Sequence, residues 1–508
     1  MSRIHTQLIV GSFRRMQSVL AIDSGTTGAT CLVIAASGRV LGRGYREIPQ
    51  HYPEPGHVEH EPRDILNCTL DAAREALAHA AVVPTTIGIT NQRETLVLWN
   101  RHTGEAIARA IVWQDRRTAA RCIELAPRAA DIAARTGLLP DPYFSATKLE
   151  WLLAHDEIRR LADDGTLAAG TVDSWLIWNL TGGAVHATDH TNASRTMLYD
   201  IRSLEWSEHL LSLFGVPRSI LPEVRASSGD FGVARGSLLG LASDIPIHGV
   251  AGDQQAALFG QGCWDSGQGK NTYGTGAFLL LNTGSEIGEA GGGLLTTVAC
   301  DASGRPAYAL EGAIFIAGAA VQWLRDGLGI IDSASETEAL ARGITSNAGV
   351  YFVPALTGLG APQWEPEARG TIVGLTRGST RAHLARAALE AMAYATADVL
   401  ELMQRRGKCS FDRLRVDGGA TENGWLMQFQ ADVLGVPVER PDMPETTALG
   451  AAGLAGIAAG VWPDARAFLG TRRYQSFAPG AGAASARSAR EGWARAVRAT
   501  LSWARDGK

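Results

Sequence analysis

The feature that most constrains this chain is a theme that occurs twice, roughly half a chain apart. An apolar run ending in an acid, Val19–Asp23, leads into the polar turn Ser24-Gly25-Thr26-Thr27-Gly28 and a second apolar run, Thr30–Ala35. The theme returns as Gly267–Tyr273, then Gly274-Thr275-Gly276, then Ala277–Leu281. Short apolar runs joined by glycine–threonine turns read as paired strands. Self-similarity at this separation predicts two domains of one design, and helical stretches between the runs, such as Pro62–Ala81, make each domain α/β. The expected limits are 19–260 and 261–508, with residues 1–18 a candidate disordered extension in which Met16 is an alternative start. A hairpin is expected from Thr95–Trp99 and Ala106–Trp113 around Thr103-Gly104, and a helix over Thr147–Leu161.

Composition narrows the function classes. With 45% hydrophobic and 19% charged residues, the 508-residue chain can bury enough apolar surface to fold. Lys+Arg number 47 and Asp+Glu 52, a net charge of −5, so no basic field advertises nucleic acid or an anionic membrane. The six cysteines form no CxxC, which argues against a disulfide framework or zinc site and fits a reducing cytoplasm. The most apolar stretch, Thr447–Trp462, is too short to span a bilayer and is built from Ala and Gly, so it reads as a buried, closely packed helix.

Several short motifs carry chemistry. In DSGTT, Asp23 followed by a glycine and two hydroxyls offers backbone N–H groups to a phosphate and a carboxylate to Mg²⁺; alone, an ordinary hairpin turn explains it better. The second turn at Thr275 changes that balance, because two such nests suit a nucleotide. Gly418-Gly419 after Leu414–Asp417 is a third place where backbone can approach a ligand. Asp253 ends the apolar run Ile247–Gly252 beside Gln254, as a base taking a hydroxyl proton or as the cap of the helix Gln254–Gly260. Arg93-Glu94 sets a donor fork beside an acceptor, which a vicinal polyol needs, though a surface ion pair is the simpler account. Ser145-Ala146-Thr147-Lys148 lacks the partners of a serine acyl-transferase, His57-Val58-Glu59-His60 lacks metal-site spacing, and no Walker A motif is present.

With these residues assembled, the chain resembles the FGGY carbohydrate kinases, on the branch that acts on glycerol, from Ser18 to about Trp462. The likeness is carried by ITNQRET (Ile89–Thr95), DPYFSATKLEWLL (Asp141–Leu153), HATDHTNASRTMLYD (His186–Asp200), GVAGDQQAALFGQ (Gly249–Gln261), KNTYGTG (Lys270–Gly276), GLGAPQWEPEARG (Gly358–Gly370) and RVDGGATENGWLMQFQ (Arg415–Gln430). The resemblance implies two actin-like, ribonuclease-H-like domains with ATP and substrate in the cleft between them. It implies MgATP-dependent phosphorylation of glycerol to sn-glycerol 3-phosphate, and a homodimer or homotetramer. By position, Thr26, Thr27, Gly28 and Thr275 are implied phosphate contacts. Gly318, Gln322, Gly419 and Asn423 fall on the adenosine side, and Asp23 is the Mg²⁺ anchor, through water. Arg93, Glu94, Tyr143, Asp253 and Gln254 match the polyol site, with Trp113 and Phe278 as apolar walls and Asp253 as the base. A pentulose kinase of the same family, or an actin-like ATP-binding scaffold, are the alternatives.

The chain departs from the family at two places. The usual turn continues Ser-Ser-Arg, whereas Gly28-Ala29-Thr30 stands here, so the arginine that touches the nucleotide phosphates is Thr30. The arginine-bearing loop that binds fructose 1,6-bisphosphate in enteric relatives is replaced by Arg235–Asp244, RGSLLGLASD, which predicts insensitivity to that sugar bisphosphate.

Overall fold

The computed structural model of the chain describes residues 14–505. Its first half is organised by a meander of β1 (Ser18–Ser24), β2 (Gly28–Ala35) and β3 (Val40–Glu47). Helix α1 (Pro62–Ala80) then returns the chain to β4 (Thr86–Asn91), parallel to β1, and β5 (Ile245–Gly252) adds in parallel beside β4. The sheet order is therefore β3-β2-β1-β4-β5, closed by the short strand Val233–Ala234. α1 forms where the sequence repeats apolar residues every three or four positions, and it buries Ile65, Ala72, Ala73 and Ala76 against the meander.

A second, four-stranded sheet draws three strands from between β4 and β5 and one from before α1, in the order Leu167–Thr171, Leu96–Asn100, Ala110–Ile111, Glu59–His60. The expected hairpin is part of it. Leu96 pairs with Ile111, Trp99 bridges Ala106, and the Asn100 side chain accepts from the amides of His102 and Thr103 to shape the turn. The helix expected over Thr147–Leu161 is instead two helices, Ser145–Leu153 and Asp156–Asp163. The acids Asp156 and Glu157 explain the restart, since negative charge favours a fresh helix N-terminus.

The first half ends with α2 (Asp253–Gly260), and the second opens with β6 (Gly269–Tyr273), β7 (Ala277–Gly284), β8 (Leu294–Cys300), β9 (Pro306–Ile314) and α3 (Gly318–Asp326). It continues with α4 (Arg381–Gly407), β10 (Leu414–Asp417), α5 (Gly424–Leu434), β11 (Val438–Pro441), α6 (Thr446–Ala458), β12 (Tyr474–Phe477) and α7 (Ala483–Arg505). Its sheet runs β8-β9-β7-β6-β10-β11-β12. β6 occupies the place of β1: it is antiparallel to β7 and parallel to β10, which is in turn parallel to β11. The duplicated turn in the sequence thus corresponds to a duplicated sheet.

The halves are not closed blocks along the sequence. The boundary near 260 falls at the end of α2, yet α6, from the second half, packs on β1, β4, β5 and α2 and shares a core with Val19, Ala21, Leu32 and Ile34. α6 corresponds to the expected small-residue helix and carries no charged side chain. Its glycines permit an approach no larger residue allows: a Cβ at Gly450 would collide with the carbonyl of Ala256, and one at Gly88 with the carbonyl of Ala451. The extension expected at 1–18 is corrected at its end, because Arg14–Arg15 pair in parallel with Val82–Val83, while residues 1–13 lie outside the described residues. Among the described residues no helix is long and apolar enough to cross a membrane. Gly450→Val should destabilise the protein by about 1–3 kcal/mol or more through overpacking at the α2–α6 contact, read as a lowered denaturant midpoint. An unchanged midpoint would contradict this packing.

Candidate active site

β1 delivers Asp23 and the first turn to the same end of its sheet. The turn is closed by the Gly25 amide donating to the Gly28 carbonyl at 3.0 Å. The Trp113 indole N–H donates to Thr26 Oγ1 at 2.8 Å, which ties an expected polyol wall to an expected phosphate contact. Thr27 is exposed. Thr30 stands in register between Asp23 and Tyr45, whose hydroxyl packs against Gly28 and leaves no room for a Cβ there. Burial, and after it the neighbouring Asp253, push the Asp23 carboxyl up to about 7.

The second turn is built the same way and then locked to a helix. Gly274 donates to the Gly276 carbonyl at 2.8 Å, and the Thr275 carbonyl accepts from Ala317 at 2.8 Å and Ala319 at 3.1 Å, at the N-terminus of α3. Beside it lies a cavity of about 560 Å³ whose lining includes Thr275, Gly318, Gln322, Gly419 and Asn423, five residues expected from sequence to hold a nucleotide. Apolar Val321, Leu389 and Met392 complete a wall suited to a flat heterocycle. Asn423 caps α5 by accepting from the Leu426 amide at 2.9 Å. No atom lies within 4 Å of a Cβ position on Gly419, so its backbone is open to the cavity.

The expected polyol residues converge on Arg93, which follows β4. Its guanidinium donates from Nη1 to Glu311 at 2.7 Å and Gln255 at 3.2 Å, and from Nη2 to Glu311 and the Tyr143 hydroxyl, both at 3.3 Å. Nε, the remaining donor, lies 3.2 Å from Asp253 Oδ1 and 3.7 Å from Glu94 Oε1. Glu94, at φ 62°, accepts from Arg195 at 2.7 Å through Oε1. Asp253 Oδ1 accepts from the Gln254 amide at 2.7 Å, so this residue begins α2 as well as facing the cluster. The Gln254 side-chain carbonyl accepts from Lys270, which also donates to Thr272 at 2.7 Å. Trp113 stands edge-on to Tyr143 at 5.4 Å. Phe278 enters from β7, in register with Thr272 and Ala313 and on the sheet face that carries Lys270 and Glu311.

Among the described residues this leaves a small set of polar atoms without a protein hydrogen bond: Arg93 Nε–H, Glu94 Oε2, the Tyr143 O–H proton, Asp253 Oδ2 and Gln254 Nε2. Donors and acceptors in comparable number, next to aromatic faces, suit a short polyol whose hydroxyls each give and accept.

Sequence reasoning gave no role to Glu311, Arg195, Lys270 or Gln255. Glu311 is held at about 2: burial opposes this, but Arg195 and Arg93 outweigh it. Arg195, fully buried, bonds Glu311 at 3.0 Å and lies over the rings of Tyr143 and Phe144. Lys270, also fully buried, is shifted down by desolvation, whereas Glu94 and Asp253 are shifted up by it. A signal was present, since a charged residue inside the apolar strand Pro306–Ile314 must find a partner. Of the two histidines set aside in sequence, His60 is buried, bonds Gln92 and is pushed down to about 4 by burial.

Residues 18–260 match the N-terminal domain of the FGGY family of carbohydrate kinases, and residues 269–459 its C-terminal domain. The chain is 53% identical to glycerol kinase 2 of Thermotoga maritima over 88% of its length and 91% of the relative's. It is 51% identical to a glycerol kinase of Halorhodospira halophila over 96% of its length and 97% of the relative's. A crystal structure of Plasmodium falciparum glycerol kinase with ADP superposes with a TM-score of 0.92 at 36% identity, covering 97% of this chain and 99% of that one. A xylulose kinase from Lactobacillus acidophilus shares the fold, with a TM-score of 0.86 at 20% identity. Two duplicated sheets, matched in turn by the N- and C-terminal domain models, settle the family: the chain belongs to the FGGY family of carbohydrate kinases.

Proposed function

We infer that the chain transfers the terminal phosphoryl group of ATP to a terminal hydroxyl of glycerol, forming sn-glycerol 3-phosphate. The observation that carries this reading is the compact set of free donors and acceptors around Arg93, Glu94 and Asp253, set against relatives of more than 50% identity that are glycerol kinases. Phosphoryl transfer asks for alignment, charge neutralisation and exclusion of water more than for covalent chemistry. Arg93 Nε–H, Glu94 and Gln254 would hold the hydroxyls, and Trp113 and Phe278 would cover the C–H faces. Asp253 would take the proton of the attacking O–H through Oδ2, with Oδ1 kept in place by the Gln254 amide. Its upward shift brings it nearer the range in which a carboxylate accepts a proton usefully. The Thr26–Gly28 and Thr275 turns would carry the polyphosphate, and the cavity of Gly318, Gln322, Gly419 and Asn423 the adenosine.

The residues present fit Mg²⁺. Asp23 is a desolvated carboxylate facing a second one, with no cation paired to it among the described residues, a hard oxygen site that a divalent ion would relieve. Bound there through water, the ion would offset the negative charge of the phosphates. In the loop Arg235–Asp244, Arg235 donates to the Gly182 carbonyl at 3.2 Å, and insensitivity to fructose 1,6-bisphosphate stands as a proposal from the loop's sequence.

Asp253→Asn should lower kcat by about 10²–10⁴ while leaving nucleotide affinity nearly unchanged, measured by coupled ADP release and by ADP titration. A loss of turnover under about threefold would remove Asp253 as the base. Glu94→Ala should raise the KM for glycerol at least about tenfold with little change in that for ATP, because one deleted charge-assisted hydrogen bond is worth that much. Equal effects on both substrates would contradict the polyol role. Asp23 also gives a pH signature. Its folded carboxyl titrates near 7 and the free residue near 3.8, so the stability it lends is complete below the lower value and lost as pH rises through the higher. Without nucleotide or metal, thermal melts should therefore fall as the pH rises from about 4 to 7 and level off above that, and Asp23→Asn should flatten that decline. A decline of the same slope in the variant would reassign it to another group.

A further inference from the structure

Arg93, Glu94, Arg195 and Glu311 form one buried cluster, each at most 3% exposed. Three of them belong to the first half of the chain, and only Glu311 comes from the second, on β9 in register with Leu280 and Lys270. Its two oxygens are shared out. Oε2 accepts from Arg93 Nη1 at 2.7 Å, while Oε1 accepts from Arg93 Nη2 at 3.3 Å and from Arg195 Nη2 at 3.0 Å. Glu311 is thus the carboxylate that grips Arg93 through both of its terminal nitrogens. That grip rotates the guanidinium so that Nε–H, and not a terminal nitrogen, faces Asp253 and Glu94. The formal charges of the four residues cancel, as do those of Asp253 and Lys270 beside them. An uncharged substrate meets no net charge from this cluster, whereas an anion would find each guanidinium already offset by a buried carboxylate.

We propose that Glu311 is a positioning and specificity-determining residue: it aims Arg93 Nε–H at the substrate hydroxyls and keeps the site neutral, so that an anionic three-carbon analogue is rejected. The proposal rests on the reading that Arg93 and Glu94 hold the polyol. Replacing Glu311 by an uncharged residue leaves one guanidinium charge buried and unmatched, and a carboxylate-bearing analogue could supply the missing charge.

The test is Glu311→Gln in the full chain, with KM measured separately for glycerol and ATP and with glycerate as a competitive inhibitor against glycerol. The KM for glycerol should rise about tenfold or more, the KM for ATP should stay within about threefold, and glycerate should inhibit at least about tenfold more tightly than it does the parent protein. A purely structural tie between the halves would lower stability and kcat without tightening glycerate inhibition, and that result would overturn the proposal. So would an unchanged glycerol KM. If Glu311→Gln does not fold, Glu311→Asp serves, because it keeps the charge but is one methylene too short to reach both arginines. It should raise the glycerol KM while still rejecting glycerate, and an unchanged KM there also overturns the proposal. The underlying reading fails separately: a normal glycerol KM in Glu94→Ala would refute it whatever Glu311 does.

Discussion

The constraint on which this molecule turns is the pairing of buried charges between Arg93, Glu94, Arg195 and Glu311. Buried ion pairs are poor sources of stability, because the cost of taking the ions out of water offsets most of their attraction. Their asymmetry is what matters: with one member absent, the rest are stranded at high cost. The cluster draws on the segment after β4, the segment around Arg195 and β9, separated by 101 residues between Glu94 and Arg195 and 116 between Arg195 and Glu311. The cluster can therefore form only when strands from both halves have formed and met, and the charges fix side-chain directions that packing alone would leave loose.

Around this neutral cluster the remaining groups divide by sign. Lys270 and the amide N–H groups of the two turns bring positive character, while Asp23 and Asp253 are kept close together in a desolvated space that neither ionised form favours. Two carboxylates that resist ionisation side by side create a demand for a cation on one side and a proton on the other. A phosphoryl transfer meets both demands at once, with a divalent ion on the phosphates and a hydroxyl proton at the base.

The legible parts of this arrangement were those with a local signature. The two glycine–threonine turns announced the duplicated sheet, the Ala/Gly run announced α6, and strand-terminal acids marked Asp23 and Asp253. The break at Ala154-His155 escaped the periodicity because the apolar pattern continues across it, and only the acids of the following turn mark a new start. Glu311, Arg195 and Lys270 were hidden for a different reason. Each is a single charge in a stretch whose neighbours say strand or turn, and its meaning lies in a partner more than a hundred residues away or, for Lys270, on the helix before it. A charge that must be buried tells the reader that a partner exists, but not which one.

The same logic explains why α6 matters to chemistry that it does not touch. Asp253, the proposed base, stands on the first turn of α2, and α2 is seated by the close approach of Gly260 and Gly450, where backbone meets backbone without an intervening side chain. From Gln254, one residue beyond the base, the contact with Lys270 runs to β6 and so to the turn at Thr275. The distance between Asp253, the proposed proton acceptor, and the turn at Thr275 is thus set by a helix pair packed as tightly as glycine allows and by a buried lysine held by two hydrogen bonds. Contacts of this kind admit only small displacements, which is what an in-line transfer between two bound groups requires, since misplacement by about 1 Å costs roughly a hundredfold in rate. A helix rich in alanine and glycine thus bears on the alignment of the proposed base with the proposed phosphate turn, although it carries no charged side chain.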